Sequence, residues 1–450
     1  MRVGLLVGRV GTGIAFAAVS VLAQGTAVIE HVAVVDVRLG VVRGDRTVIV
    51  RGNRIVIIGA AGTTAIPAGA HVMDGRGKFL VPGYWDMHVH TVVPGGREVL
   101  PLYVANGVTG VRDMASDFAQ ITAMRRDVAQ GTLVGPRIVA SGPYIEGGDV
   151  PIAHFLVRNA AEATAAVDTL KRMGVDFIKI HSQLTRETYF ASARAARAAG
   201  MVFAGHVPRA VGAADASDSG QKSIEHLLTI PTPCTRAESL ALLPRFTVQS
   251  ALGRCSSENL APLFAKFVRN GTWVTPTFAA QVEVAGWPGR SVPGDRYAQY
   301  LPDTLRKFVE QIFPLPDSVP RGADSVGRAM LAKRFALLGT MYRAGVGVLA
   351  GTDAPLRNSP PGFGLHEEFA LLARSGLTPM EVLRVTTYDA ARYLGTLDSL
   401  GTIGIGKIAD LVMIDGDPRR DVENLRRISA VVANGRVFEG AALKGLITRR

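Results

Sequence analysis

Between residues 83 and 398 the chain alternates short apolar runs with helical stretches, and it does so eight times. The first run ends at His90. The others cover residues 108–113, 137–141, 176–181, 202–206, 223–226, 273–277 and 346–353. Residues 160–173 and 188–199 carry helical spacing between them. Strand–helix alternation places a parallel sheet inside and helices outside, and eight units predict an α/β fold of the (β/α)8 TIM-barrel type. The active site of such a barrel lies at the C-terminal strand ends.

The two chain ends have a different character. Residues 31–37, 45–50 and 54–59 are β-rich, and Gly52-Asn53 punctuates the last two as a hairpin. Residues 409–414 and 430–438 read the same way. We therefore expect a small discontinuous β-sandwich built from 24–82 and 399–450, enclosing the barrel at 83–398. Residues 279–325 are rich in Pro and Gly. They read as an insertion after the seventh strand, on the catalytic face, as a lid or an oligomer contact.

Polar groups fall at the strand ends. His88 and His90 stand i, i+2 at the end of the first run, so both side chains share one face. His206 ends the fifth run, His226 the sixth and Asp353 the eighth. Converging imidazoles and a carboxylate on one rim are the common make-up of a metal site. Lys179 lies on the fourth run between Ile178 and Ile180. Burying its ammonium there is costly. Carboxylation by carbon dioxide would give an anionic carbamate able to bridge two metals. A salt-bridged Lys179 beside a single metal is the alternative.

Composition narrows the class. Hydrophobic residues make up 48% of 450, as in a globular enzyme with a large core. The formal charge of +12 is carried mostly by Arg. No dense Lys/Arg run with interleaved aromatics accompanies it, so a small-molecule substrate is expected and nucleic acid is not. Residues 1–23 read as a signal peptide: Arg2 and Arg9, an apolar stretch at 13–22, and a cut after Ala23. That stretch is shorter than the ~20 residues of a membrane span. The expected location is periplasmic or secreted, with no stable membrane association after cleavage. In that setting Cys234 and Cys255 are expected to pair, closing a loop worth ~3 kcal/mol in the chain-entropy description.

The motifs together resemble the amidohydrolase superfamily, in its imidazolonepropionase-like and Xaa-Pro dipeptidase-like branch. They are the His88-Val89-His90 pair, Phe177-Ile178-Lys179-Ile180, Gly205-His206-Val207-Pro208, Ser223-Ile224-Glu225-His226, Gly351-Thr352-Asp353, and the tail from Gly401-Thr402-Ile403 to Asp410-Leu411. The resemblance implies two divalent metal ions. His88, His90 and Asp353 would hold the first, His206 and His226 the second, and carboxylated Lys179 would bridge them. Zinc fits nitrogen and oxygen ligands, and the spacing leaves manganese and cobalt open. It further implies a hydroxide between the metals as nucleophile, and Asp353 as both ligand and general acid/base.

Lysine on the fourth strand is the dipeptidase-like feature, and it favours hydrolysis of a C–N amide or peptide bond in a dipeptide or N-acyl amino acid. Two alternatives keep the fold: a mononuclear deaminase or cyclic-amide hydrolase, and a lactonase or phosphotriesterase-type activity. Tyr144, His154, His181 and Arg209 are candidate substrate contacts. Tyr144 and His154 are expected in a Gly-rich loop after the third strand. Relatives in this superfamily are often homo-oligomers, which is the expected state here.

Overall fold

The computed structural model describes residues 25–227, 257–284, 293–312 and 323–447. The expected signal peptide and the Cys234–Cys255 pair lie outside the described residues. In chain order the strands are β1 (Thr26–Asp36), β2 (Val41–Arg51), β3 (Arg54–Ala60), β4 (His71–Asp74), β5 (Phe79–Pro82) and β6 (Tyr84–Val89). Next come β7 (Val108–Asp113), β8 (Arg137–Ala140), β9 (Tyr144–Glu146), β10 (His154–Leu156), β11 (Ile178–Ile180) and β12 (Phe203–Gly205). The last six are β13 (Ser223–Glu225), β14 (Trp273–Thr275), β15 (Gly347–Val348), β16 (Leu411–Ile414), β17 (Ile428–Ala433) and β18 (Arg436–Glu439).

Strands from both ends share one sheet, in the order β18-β17-β16-β5-β1-β2-β3, with β4 added beside β1. Chain closure comes at β5, where Met413 pairs with Leu80 although the two are far apart in sequence. The expected β-domain built from both chain ends is present, and its strands form one continuous sheet. Register shifts between Ile29 and Val32, and between Val32 and Val34, mark bulges in β1, which bend a strand. The curl brings Ile29, Val50 and Ile55 from one side of the sheet into one apolar cluster with Met413, Val432 and Val437 from the other.

The remaining strands are parallel, β6-β7-β8 in one group and β10-β9-β11-β12-β13-β14-β15 in another. Backbone bonds join the two groups at both seams. Asp176 N–H donates to Ala140 O (3.0 Å) just before β11, and Met87 N–H donates to Ala350 O (2.8 Å), so the last strand returns to the first. Helices separate most of these strands, β8, β9 and β10 excepted, and Ala160–Met173 matches its expected bounds. Asn159 caps it by accepting from Glu162 N–H, and Gly174 ends it at φ 78°.

One strand differs from expectation. The third is broken in two: β8 pairs with β7, while β9 pairs with β11. The break falls at Gly142, in the left-handed region at φ 63°, followed by Pro143, which has no N–H to donate. Tyr144 and His154 consequently stand on paired strands, Tyr144 opposite His154, and not in a loop.

Part of the 279–325 segment is described and helical, at Pro293–Tyr300 and Asp303–Ile312. Leu301, Leu305 and Val309 pack with Val99 and Leu102, which follow the first barrel strand. This segment therefore reaches from the end of the seventh strand to the loop after the first, on the rim that carries the histidines. No helix among the described residues is long and apolar enough to cross a membrane.

Candidate metal centre

Strand β6 is buried along its whole length, and it delivers His88 into the barrel mouth with His90 just beyond it. Asp353 N–H donates to His88 O (2.7 Å), and His90 N–H donates to Ala354 O (2.7 Å), so the eighth strand end is stitched to the first. Asp86 reinforces the seam. Its buried carboxylate accepts from Thr352 N–H (3.0 Å) and Thr352 Oγ1 (2.6 Å). Gly351 is needed at this crossing because a Cβ there would lie 2.9 Å from His88 Cβ and 2.6 Å from Thr275 Cγ2.

One ligand atom each from His88, His90 and Asp353 falls within 4.8 Å of the others. His90 Nε2 is 3.1 Å and His88 Nε2 3.3 Å from Asp353 Oδ1. His226 Nδ1 lies 4.0 Å from Asp353 Oδ2. The rings then follow one another around the rim. Centroids are 4.6 Å apart for His88 and His226, 4.7 Å for His226 and His206, and 4.3 Å for His206 and His181. Tyr144 stacks on His181 at 4.7 Å and on His154 at 6.0 Å. Lys179 is buried on β11, opposite Ala204 on β12 and so beside the strand that leads to His206. Its stem passes Gly205, where an added Cβ would meet Lys179 Cδ at 2.9 Å. Arg209 is solvent-exposed and does not join the group.

The electrostatics suit a cation. Burial pushes the Asp353 carboxyl up, but His88 and His90 at its oxygens outweigh burial and hold it well below the usual range. Burial lowers His226 to about 3 and His206 well below its ordinary value, so both imidazoles are neutral and carry a free lone pair. Burial also brings the Lys179 ammonium down to about 8, against the opposing charges of Glu225 and Asp353.

A second layer supports these groups, and the sequence reading assigned it no role. Glu225 Oε2 accepts from His88 Nδ1 (2.8 Å), which turns the buried His88 Nε2 into the site toward Asp353. A carboxylate on one imidazole nitrogen, with the second nitrogen turned to the ligand cluster, is how a metal-ligating histidine is held. Arg112 in turn donates to Glu225 Oε1 (2.8 Å), Tyr393 OH (2.8 Å), Ser223 Oγ (3.0 Å) and Met87 O (2.7 Å). Glu146 accepts from His181 Nδ1 and from Gln183 N–H (2.8 Å). Thr277 Oγ1 and Ser182 Oγ bond Nδ1 of His226 (2.7 Å) and of His206 (2.5 Å). Glu225 was visible in the sequence as the neighbour of His226, alternating with it across the strand. Its partner His88, 137 residues away, was not.

Comparison with known proteins gives a consistent picture. A Xaa-Pro dipeptidase structure with methionine bound in its active site aligns over 92% of this chain and all of that one, at 23% identity and a TM-score of 0.69. A bottromycin amidohydrolase aligns over 94% of this chain and 88% of its own, at 24% identity and a TM-score of 0.72. Identity at this level speaks for the fold. Among curated sequences, a 5-methylthioadenosine/S-adenosylhomocysteine deaminase of Thermoanaerobacter pseudethanolicus is 31% identical over 115 residues, 24% of this chain and 27% of the deaminase. The chain thus matches only about a quarter to a third of the length of such curated relatives. Residues 79–438 match the amidohydrolase family over most of the sequence, and the chain belongs to that family.

Proposed function

We propose that this protein is a metal-dependent hydrolase that cleaves a C–N amide or peptide bond, in a dipeptide or an N-acyl amino acid. The observation that carries the reading is the convergence of His88, His90, Asp353, His226 and His206 on one rim, with buried Lys179 beneath. Two divalent cations, zinc by the chemistry of these donors, would be held by His88, His90 and Asp353 and by His206 and His226. When bound, such ions acidify water and polarise a carbonyl oxygen. Lys179 suits the bridging role: its amine is buried and its proton loosely held, so it can add to carbon dioxide. The ammonium first gives up one proton; addition of the neutral amine to carbon dioxide then forms an N–C bond, releases a second proton and leaves an anionic carbamate.

Asp353 takes the proton from the attacking water and delivers it to the leaving nitrogen. Its carboxylate is kept ionised between His88 and His90, ready to accept. Glu225 and Arg112 hold His88 in one orientation throughout. Tyr144, His181 and His154 form a stacked wall beside His206, suited to shaping the substrate end of the site.

The test is elemental analysis of protein produced with zinc and bicarbonate, alongside a panel of dipeptides and N-acyl amino acids. We expect two ions per chain, and Lys179→Ala to lose one ion and most activity, with partial rescue by short carboxylic acids. Full metal content and rate in Lys179→Ala would remove the bridging role. One ion per wild-type chain would favour the deaminase or cyclic-amide reading, which the similarity to the curated deaminase keeps in view.

A further inference from the structure

Where the sixth and seventh barrel strands end, three non-glycine residues occupy the left-handed region: His226 (φ 68°), Leu227 (φ 54°) and Thr277 (φ 49°). L-residues avoid this conformation unless the surroundings impose it. Besides the bond between His226 Nδ1 and Thr277 Oγ1 (2.7 Å), a buried carboxamide restrains them. Gln281 is buried in helix Phe278–Val284, and its Nε2 donates to both His226 O (2.8 Å) and Pro276 O (2.5 Å). It thereby clasps the two strand ends together.

A carboxamide can present either its oxygen or its nitrogen, so something must fix which. Gln281 Oε1 accepts from Arg334 Nη1 (2.7 Å), which comes from helix Ala323–Arg343. A guanidinium only donates, so it holds the carboxamide oxygen and leaves the NH2 for the two carbonyls. Arg334 is itself unusual. It is 7% exposed, its Nε has no partner, and it pairs with no carboxylate among the described residues. A buried cation without a counter-charge is a poor stability device.

We propose that Arg334 is a positioning residue: by locking the Gln281 carboxamide it fixes the backbone of His226, and so sets how tightly the cation at this histidine is held. This rests on the metal-dependent reading above. The role is separable from stability. Gln281→Glu would gain an ion pair with Arg334 yet turn carboxylate oxygens toward two carbonyls, strengthening one contact while breaking the clasp. Arg334→Lys keeps a pure donor, whereas Arg334→Met removes it.

The experiment strips the full-length protein with a chelator, measures the melting temperature of the metal-free form, and titrates zinc. Gln281→Glu should melt within a few degrees of wild type but bind one ion about 10- to 100-fold more weakly, the range seen for residues that orient metal ligands. Arg334→Met should show the same loss, and Arg334→Lys should recover most of it. If folded Gln281→Glu and Arg334→Met bind zinc as tightly as wild type, the relay is idle and the proposal fails. Should Arg334→Met not fold, Gln281→Glu decides alone. Wild type that holds no ion would overturn the metal reading and the relay together, whereas variants that match a zinc-binding wild type would overturn only the relay.

Discussion

Asp353 shows how much a single residue is asked to do. It sits at φ 61°, where Asp and Asn are the non-glycine residues best tolerated, with its N–H tied to His88 O. The backbone therefore aims the carboxylate at His88 and His90 before any ligand arrives. Replacement by Asn keeps the shape and the tolerance for this φ while removing the basic oxygen. We expect Asp353→Asn to melt near the wild-type temperature and to lose turnover by ~10²- to 10⁴-fold, the usual worth of general acid–base catalysis. Near-normal turnover in a folded variant would exclude Asp353 as the proton carrier. The position of Asp353 was legible because it ends an apolar strand. Its support was not, because Asp86, His88 and Thr352 come together only when the first and last barrel strands meet.

At the scale of elements, the site depends on how closely neighbouring strands approach. Gly351 lets the eighth strand pass against His88 and Thr275, and Gly205 leaves room for the Lys179 stem beside β12. A methyl group at 351 would sit 3.0 Å from His88 N and 2.9 Å from His88 Cβ. The strands would have to part, at about 1–3 kcal/mol for an overpacked position. Gly351→Ala should lower the denaturation midpoint and weaken metal binding in a titration; unchanged affinity would show that the crossing has slack. Strand positions themselves followed from local apolar runs. The broken third strand did not, because Gly142-Pro143 could equally end a strand or interrupt one, and only pairing of Ile145 with Ile180 settles which.

For the whole molecule, the pH response rests partly on a carboxyl remote from any recognisable motif. Glu368 is fully buried in helix Phe363–Arg374. It accepts from Ala279 N–H (2.7 Å), and its Oε1 has no partner. Burial raises it from 4.5 to about 8. The unfolded chain releases this proton near pH 4.5 and the folded chain near 8, so the folded state binds more protons across that interval. Its contribution is therefore complete below about 4.5 and is lost as the pH rises through 8. Denaturant midpoints measured between pH 5 and 8 should fall less steeply in Glu368→Gln than in wild type. Equal slopes would mean that Glu368 is already ionised in the fold.

The order of the β/α units, the strands that carry His88, His90, Lys179, His206, His226 and Asp353, and the β-rich ends are all readable along the chain. Each of these is a local property: an apolar run, a side-chain alternation, a residue at a run's end. What those residues touch is set only once the chain has folded. The Glu225 carboxylate on His88, the Arg112 guanidinium on Glu225, and the Gln281–Arg334 clasp behind His226 join elements far apart along the chain. No local pattern encodes such pairings, because a buried polar group finds its partner only after the strands have closed around it.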